Sequence, residues 1–268
     1  MIKMEISPVY GTRALKVLLE NEKILAVGDL HLGISAELAD KGIEIPSQTP
    51  KIQRRLKTII EDENADRLFF LGDIKHNIPV TSWEEWEYIP DFFSDLSKEV
   101  KIDVVPGNHD GDIRGLIPRD VTLHGAEGAT AGAGKVGFIH GHAWPDPKLL
   151  KAEAIVLGHN HPVIEFKDDL GARITEPAWV RTNLKLENLP KRFQEELKGD
   201  GPEITIAPAF STLIGGGAIN RQIPEKLLGP LFKAGAIDME EAEIYLLDGA
   251  YLGKLKNLRE LTEPIDSS

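Results

Sequence analysis

Five short apolar segments of this chain end at or beside a glycine and are then followed by polar residues. They are KILAVGD (23–29), RLFFLGD (67–73), KIDVVPGN (101–108), KVGFIHGH (135–142) and AEAIVLGH (152–159). Continuous apolar runs of this length are typical of strands that are buried on both faces. A glycine at the strand exit allows a sharp turn and lets a ligand come close to the backbone. The repeated pattern predicts a sheet whose strand ends carry polar groups.

Helical patterns separate the first three of these segments. In TPKIQRRLKTIIEDENAD we expect Thr49 as the N-cap and Pro50 at the first helical position. In TSWEEWEYIPDFFSDLSKE, Ser82 followed three residues later by Glu85 predicts a capping box, and Pro90 is expected to kink or interrupt the helix. The alternation of strand and helix predicts a parallel core sheet.

After about residue 120 the helical signals become weaker and short strand-like segments follow one another, as in DVTLHG, PVIEFKD, AWVRTNLK, EITIAPAF and AEIYLLD. This half is expected to form a second sheet that packs against the first. The polar segment 189–203 predicts a helical turn and a loop. Because short predicted strands recur at a similar spacing in both halves, we expect one domain over residues 1–268, with no separate cap domain.

The composition narrows the classes of function. The 268 residues carry a formal net charge of −12, and an acidic chain repels polyanions, so we do not expect a nonspecific nucleic-acid coat over the whole surface. A local basic patch or a bound metal can still attract phosphate. There is no cysteine, so any metal must be held by oxygen and imidazole nitrogen. No apolar run approaches about 18 residues and no signal pattern opens the sequence, so we expect a soluble, cytoplasmic protein without a membrane partner.

The polar residues at the five predicted strand exits form a chemically consistent set. In chain order they are Asp29, His31, Asp73, Asn108, His109, Asp110, His140, His142, His159 and His161. In open α/β sheets, ligands bind beyond the carboxyl ends of the strands, so we expect these residues to converge on one crevice. Of the 8 histidines, only His124 lies away from the exits, and we expect it to be structural.

This set has the composition of a metal site. Carboxylates, imidazoles and an amide oxygen without sulfur suit Mn²⁺, Fe²⁺ or Zn²⁺. The ligands exceed what one tetrahedral ion uses and are about enough for two, with Asp73 as the candidate bridge. Two ions about 3.5–4 Å apart can clamp the attacking and leaving oxygens of a phosphoryl displacement. Set against Asp29 and Asp73, two divalent ions leave a positive site that attracts phosphate, and Asp110 is expected behind it as the partner of His109.

The motifs GDLH, LGD, GNHD, HGH and GHNH, in this order over residues 28–161, resemble those of the calcineurin-like metallophosphoesterase superfamily. The resemblance implies an α/β fold in which two mixed β-sheets pack as a sandwich flanked by helices, in four layers α/β/β/α. It also implies a hydrolase that uses two divalent metal ions. Mn²⁺ is the favoured ion, and Fe²⁺, Zn²⁺, Ni²⁺ and Co²⁺ are the alternatives.

The resemblance also assigns roles to the matching residues. The implied metal ligands are Asp29, His31 and His161 on one ion, Asn108, His140 and His159 on the other, and Asp73 between them. By the same match, a metal-bound hydroxide attacks the phosphorus and His109 is the general acid that protonates the leaving group. Asp110 is expected to orient the imidazole of His109.

The segments GDLHLG, GDIKH, PAWVRTN and PAFSTLIGGGAIN resemble small archaeal-type phosphoesterases related to the SbcD exonuclease subunit, and also the bacterial DNA-ligase-associated phosphoesterases. This resemblance implies phosphodiester bonds of nucleic acid or nucleotides as substrates, and a DNA-repair protein as a partner. Because the chain lacks the extra sequence of a DNA-binding cap, we expect nicked or single-stranded nucleic acid or a small phosphodiester. The alternatives are a phosphomonoesterase or protein phosphatase on the same site, and a non-catalytic scaffold of the same fold.

Further residues are candidates for substrate contact, each with a structural alternative. Trp179 and Arg181 can stack on and pair with a nucleotide, or pack in a sheet. His76 can contact substrate or pack in its loop, and His142 can contact substrate or support the ligands. The basic run KIQRRLK (51–57) is expected to be the solvated face of a helix, with contact to phosphate as the alternative.

Overall fold

A computed structural model describes residues 4–168, 170–195, 197, 201–221 and 227–260. Its helices are α1 (Ile34–Asp40), α2 (Thr49–Glu63), α3 (Trp83–Leu96), α4 (Lys191–Gln194), α5 (Pro230–Lys233) and α6 (Leu255–Glu260). Its strands are β1 (Glu5–Pro8), β2 (Leu15–Leu18), β3 (Lys23–Val27), β4 (Arg67–Phe70), β5 (Lys101–Val104), β6 (Thr122–Leu123), β7 (Ala129–Ala131), β8 (Val136–Ile139), β9 (Ala154–Leu157), β10 (Val163–Lys167), β11 (Arg173–Asn183), β12 (Glu203–Ile206), β13 (Glu243–Leu246) and β14 (Tyr251–Lys254).

The first sheet contains β1 to β6 in sequence order. The pairs β1–β2 and β2–β3 are antiparallel, whereas β3, β4, β5 and β6 run parallel to one another. Helices α1 and α2 connect β3 to β4, and α3 connects β4 to β5. The predicted parallel core is therefore confirmed, and three of the five apolar segments form its central strands.

The second sheet has the order β14-β13-β11-β12-β9-β8-β7, and β10 pairs with β11 beside this path. Strand β9 runs parallel to β8 and β12, and the other pairs are antiparallel. The remaining two apolar segments form β8 and β9 at the centre of this sheet. Both sheets are mixed, which confirms the predicted fold class.

Apolar side chains form three layers. One cluster lies between α2, α3 and the first sheet, and another covers the outer face of the second sheet with side chains of α4, α5 and α6. The central cluster lies between the sheets, where the Phe69 and Phe138 rings stack with centroids 4.1 Å apart. Among the described residues, no helix combines the length and hydrophobicity that a membrane span requires. The single domain over 1–268 stays a prediction.

The helix ends test the local predictions. Ser82 and Glu85 form the predicted capping box of α3. The N-cap of α2 is Gln48, so the prediction of Thr49 was wrong by one residue, and the buried Thr49 hydroxyl has no hydrogen-bond partner among the described residues. Pro90 lies inside α3 and does not interrupt it, because the apolar face of the helix packs into the core on both sides of the proline.

The polar segment 189–203 contains the predicted helical turn, which is α4. Residues 196 and 198–200 of this segment lie outside the described residues.

Candidate metal centre

Main-chain hydrogen bonds bring the exits of the central strands together. After β3, the Asp29 amide donates to Gly72 O (2.9 Å) and the His31 amide donates to Asp73 O (2.9 Å). The amide of His109, after β5, donates to Asp73 Oδ1 (3.0 Å). The amide of His159, after β9, donates to Asp29 Oδ2 (3.1 Å). Backbone groups thus tie three strand ends of the first sheet to one of the second.

The backbone is unusual at many of the candidate ligands. Positive φ angles occur at Asp29 (59°), His31 (47°), Asp73 (48°), His159 (73°) and His161 (42°). Left-handed backbone is uncommon for a residue with a Cβ and costs free energy, so it persists where the surrounding structure enforces it, often at functional sites. The chain therefore turns sharply at the polar residues themselves after β3, β4 and β9.

Two glycines provide the space for this convergence. A Cβ added at Gly72 would lie 2.6 Å from His140 Nδ1, and a Cβ added at Gly107 would lie 2.1 Å from Asp73 Oδ1. Both distances are below 3.0 Å, which is shorter than the contacts that Cβ atoms make in proteins. The glycines at these exits therefore allow neighbouring strand ends to approach one another closely.

A first set of potential ligands, here called the Asp29 group, contains Asp29, His31 and His161. One ligand atom from each lies within 4.8 Å of the others. His161 Nε2 is 3.0 Å from Asp29 Oδ1. Both His31 Nε2 and His161 Nε2 are buried and make no well-aligned hydrogen bond to any described residue. Buried polar atoms are rarely left unpaired, so these nitrogens have the arrangement of ligands that face a common ion.

A second set, here called the Asp73 group, contains Asp73, His140 and His159, again with ligand atoms within 4.8 Å of one another. Asn108 Oδ1 adds an amide oxygen 3.2 Å from His140 Nε2. The two oxygens of Asp73 face different groups, since Oδ1 is 3.4 Å from His140 Nε2 and Oδ2 is 3.7 Å from His31 Nε2. This is the geometry that a bridging carboxylate requires.

The charge states of three of these groups, His31, His159 and Asp29, suit metal binding. Burial lowers the pKa of His31 and of His159 to about 3, so both imidazoles are neutral. Burial alone would raise the pKa of Asp29, but interaction with His161 and the other imidazoles outweighs it and holds the pKa below its ordinary value. Neutral imidazoles and ionised carboxylates are the forms that bind metal. The residues present therefore fit two divalent cations held by nitrogen and oxygen.

The histidines are oriented by different partners. In the Asp73 group, His140 Nδ1 donates to the main-chain oxygen of Leu71 (2.7 Å), which leaves Nε2 free to bind. In the Asp29 group, His31 Nδ1 lies 3.1 Å from His76 Nδ1, and His76 Nε2 is hydrogen-bonded to Glu37. Since a carboxylate only accepts, His76 Nε2 carries a proton, and a proton on His31 Nδ1 then completes the hydrogen bond between the two Nδ1 atoms. The chain Glu37–His76–His31 leaves His31 Nε2 with its lone pair toward the site.

Glu37 is a site residue that sequence reasoning missed. It lies in α1, and hydrogen bonds from Lys41 and then from His76 lower its pKa to about 2. In the sequence, Glu37 and Lys41 have the spacing of an ordinary surface pair on a helix, which concealed the contact with His76.

The predicted catalytic pair is arranged differently from expectation. His109 Nδ1 donates to the main-chain oxygen of His76 (2.6 Å), and His109 Nε2 lies 4.0 Å from Asp73 Oδ2. Asp110 is buried behind the site as predicted, but its oxygens accept from the amides of Ile74, Lys75 and Gly107. The expectation that Asp110 orients the imidazole was wrong, because its position beneath two loops directs the carboxylate to main-chain donors.

Of the four candidates for substrate contact, two histidines lie at the site, and the two residues of β11 are held by other parts of the protein. His76 lies inside the site, and the rings of His140 and His142 have centroids 5.3 Å apart, so both histidines adjoin the ligands. Trp179 is 1 % exposed in the central core, so the prediction that it stacks on a base was wrong. Arg181 is bound by Glu203, with Nη2 2.6 Å from Oε1, and lies next to Trp179 on β11.

His124 confirms the expectation of a structural role. Its Nε2 lies 2.6 Å from Oδ1 of Asp103, a buried carboxylate that also binds Arg67.

The two mixed sheets and the crevice of carboxylates and imidazoles define a metal-dependent hydrolase of the phosphoester class. The calcineurin-like phosphoesterase family model matches residues 22–190, more than half of the chain, and the chain belongs to this family. No protein in the set of curated sequences matches it.

Two solved structures are similar to this chain. The nuclease MPE from Pseudomonas putida is 18 % identical with a TM-score of 0.50, and the alignment covers 91 % of this chain and 98 % of that one. The phosphoesterase Yfce from E. coli is 13 % identical with a TM-score of 0.40, and the alignment covers 86 % of this chain and 96 % of that one.

Proposed function

We propose that this protein is a two-metal phosphodiesterase that acts on nucleic acid or nucleotides, with Mn²⁺ as the favoured ion. The observation that carries the proposal is the placement of Asp73, whose two oxygens face the separate ligand groups. When bound, two divalent ions stabilise the charge on phosphoryl oxygens and generate a nucleophile from water.

The protein's own residues supply binding and orientation. Asp29, His31 and His161 would hold one ion, Asn108, His140 and His159 the other, and Asp73 both. The left-handed backbone at five of these residues fixes the ligand directions before any metal binds, which lowers the cost of ordering the site.

His109 is the residue that we assign to proton transfer. Its Nδ1–H is held by the His76 carbonyl, so the ring is fixed and Nε2 faces the crevice. A proton on Nε2 can pass to the leaving oxygen of a phosphoester bound between the two ligand groups. Asp110 contributes indirectly, because it holds the main chain of the two loops that carry Asp73 and His109.

The preference for a diester is supported by the resemblance of PAWVRTN and PAFSTLIGGGAIN to SbcD-related and DNA-ligase-associated phosphoesterases. The P. putida protein of the same fold is a nuclease. A cytoplasmic location and a DNA-repair partner stay predictions from the sequence.

Two chromogenic substrates test the proposal. The rates of hydrolysis of bis-p-nitrophenyl phosphate and of p-nitrophenyl phosphate are measured with and without added Mn²⁺. The diester is expected to give the higher kcat/KM, and its hydrolysis is expected to depend on the ion. Faster cleavage of the monoester would favour the phosphomonoesterase or protein phosphatase. Protein that retains no metal by elemental analysis and cleaves neither ester would favour the scaffold.

A further inference from the structure

Two arginines from other parts of the chain bind the loop that follows β12. Arg13 Nη1 donates to Ala209 O (3.0 Å) and to Ser211 O. Arg55 Nη1 donates to Phe210 O (3.3 Å), and the Arg55 guanidinium lies 4.0 Å from the centroid of the Phe210 ring. Two residues from distant parts of the sequence are thus held on consecutive carbonyl groups.

Neither guanidinium forms an ion pair with a carboxylate of the described residues. Within the described part of the chain, no carboxylate oxygen lies within 4.0 Å of either one, and Glu176 acts on Arg13 only from a longer distance. Burial and then the charge of Arg13 lower the pKa of Arg55 to about 10, which shows that the two charges repel each other. The protein has a net charge of −12, yet these two adjacent cations have no acidic partner among the described residues. Such a pair of positive charges attracts an anionic ligand.

Arg13 adjoins the candidate metal centre, and Arg55 lies behind it on the same loop. A cavity of about 280 Å³ has both Arg13 and His161 in its wall, together with Thr212. The loop that binds the arginines also binds Asp29, because the Ser211 amide donates to Asp29 O (3.2 Å). A ligand that extends through this cavity from the Asp29 group would therefore contact Arg13.

We propose that Arg13 and Arg55 form an anion subsite for a backbone phosphate of single-stranded nucleic acid, adjacent to the phosphodiester at the metal centre. This inference rests on the proposed function. Arg13 uses only Nη1 for the loop, so its Nε and Nη2 can bind phosphate oxygens as a planar fork. A small phosphoester occupies the metal centre alone, so the subsite distinguishes a strand from a small substrate.

The test compares Arg13→Gln and Arg55→Gln with Arg54→Gln, which removes the same charge from an exposed position of α2. The substrates are bis-p-nitrophenyl phosphate and a short single strand, either DNA or RNA of the same sequence, whichever the wild type cleaves faster. Each subsite variant is expected to lose about tenfold in kcat/KM on the strand, the size of one charge-assisted hydrogen bond, and to keep the rate on the small diester. Arg54→Gln should keep both rates.

Salt dependence provides a second readout. With Ca²⁺ in place of Mn²⁺, the slope of log affinity for the strand against log salt concentration should become shallower by about 0.7 for each lost phosphate contact. Arg55→Lys keeps the charge and should keep most of the slope, even if the contact with Phe210 is weakened.

Three outcomes would overturn the subsite. Equal losses on both substrates would mean that the arginines only support the loop. Subsite variants that behave like Arg54→Gln on the strand would mean that no phosphate binds there. A wild type that cleaves the small diester but neither binds nor cleaves either strand would overturn the nucleic-acid function, and the subsite with it, so the two failures are distinguishable.

Discussion

The Asp29 group and the Asp73 group both contain a carboxylate and two imidazoles at strand ends, but their supports differ. His140 of the Asp73 group is held by the main-chain oxygen of Leu71 inside the core. His31 of the Asp29 group is held by His76, which depends on Glu37, a half-exposed side chain of α1. A main-chain partner cannot be removed by substitution, whereas a side-chain partner can. The Asp29 group is therefore the one whose metal affinity side chains outside the ligand set can tune.

Asp73→Asn should remove the carboxylate that faces both ligand groups, and we expect it to have the largest effect on metal binding and activity. Asparagine keeps an oxygen for the His109 amide but loses the charge that serves both ions. We expect the protein to lose bound metal and the kcat on bis-p-nitrophenyl phosphate to fall by at least about 10⁴-fold. Asp112→Asn, an exposed change of the same kind, is the control. Full metal content and activity in Asp73→Asn would refute the dinuclear arrangement.

His109→Ala should have the next largest effect and separate binding from chemistry. His109 lies beside both groups and belongs to neither set of proposed ligands, so metal content should be unchanged. The kcat should fall by about 10²–10⁴-fold, the usual contribution of a general acid. Loss of metal together with activity would instead make His109 a ligand.

Glu37→Gln should act on the Asp29 group alone. The amide cannot supply the negative charge that fixes the proton of His76, so His31 becomes a weaker ligand. Titration of metal-free protein with Mn²⁺ should show a loss of about 10–100-fold in affinity for one ion and an unchanged second ion. Asp40→Asn, at an exposed position of α1, should change neither affinity. Equal weakening of both ions would show that the two groups are not supported independently.

Asp103→Asn should have no effect on metal binding, because this carboxylate is neutralised by the Arg67 guanidinium and hydrogen-bonded to His124. Arg67 Nη2 lies 2.7 Å from Oδ1, and His124 Nε2 lies 2.6 Å from the same oxygen. The substitution should lower the free energy of unfolding by about 2–3 kcal/mol, since it removes the buried carboxylate that binds the Arg67 guanidinium and leaves only Glu22, 3.6 Å away, as its counter-charge. Unchanged denaturant midpoints would contradict it, and Asp120→Asn, at an exposed position, should leave them unchanged.

The same residue gives a pH dependence. Burial would raise the pKa of Asp103, but hydrogen bonds from His124 and Arg67 outweigh it and hold the pKa below 3.8. A depressed pKa in the folded state means that stability is complete above 3.8 and is lost as the pH falls through the lower, folded-state value. Unfolding measured as a function of pH should show this acid loss in the wild type, and Asp103→Asn should reduce it.

Much of the fold could be predicted from the sequence, because strands and helices depend on local periodicity. The five apolar segments became the central strands of both sheets, and the polar residue after each one reached the crevice, since the carboxyl ends of neighbouring parallel strands meet at one edge. Local signals were less reliable at single residues. Thr49 missed the N-cap by one position, because proline at the second helical residue is as acceptable as at the first.

The sequence by itself determined which chemical groups gather at the crevice, because their types and their places after strands are local properties. The tertiary structure decided which group contacts which. It directed Asp110 to main-chain amides, buried Trp179 between the sheets, joined Glu37 to His31 through His76, and placed Arg13 next to Arg55. Side-chain contacts act over a few ångströms, and only the packing of elements far apart in the chain sets such distances.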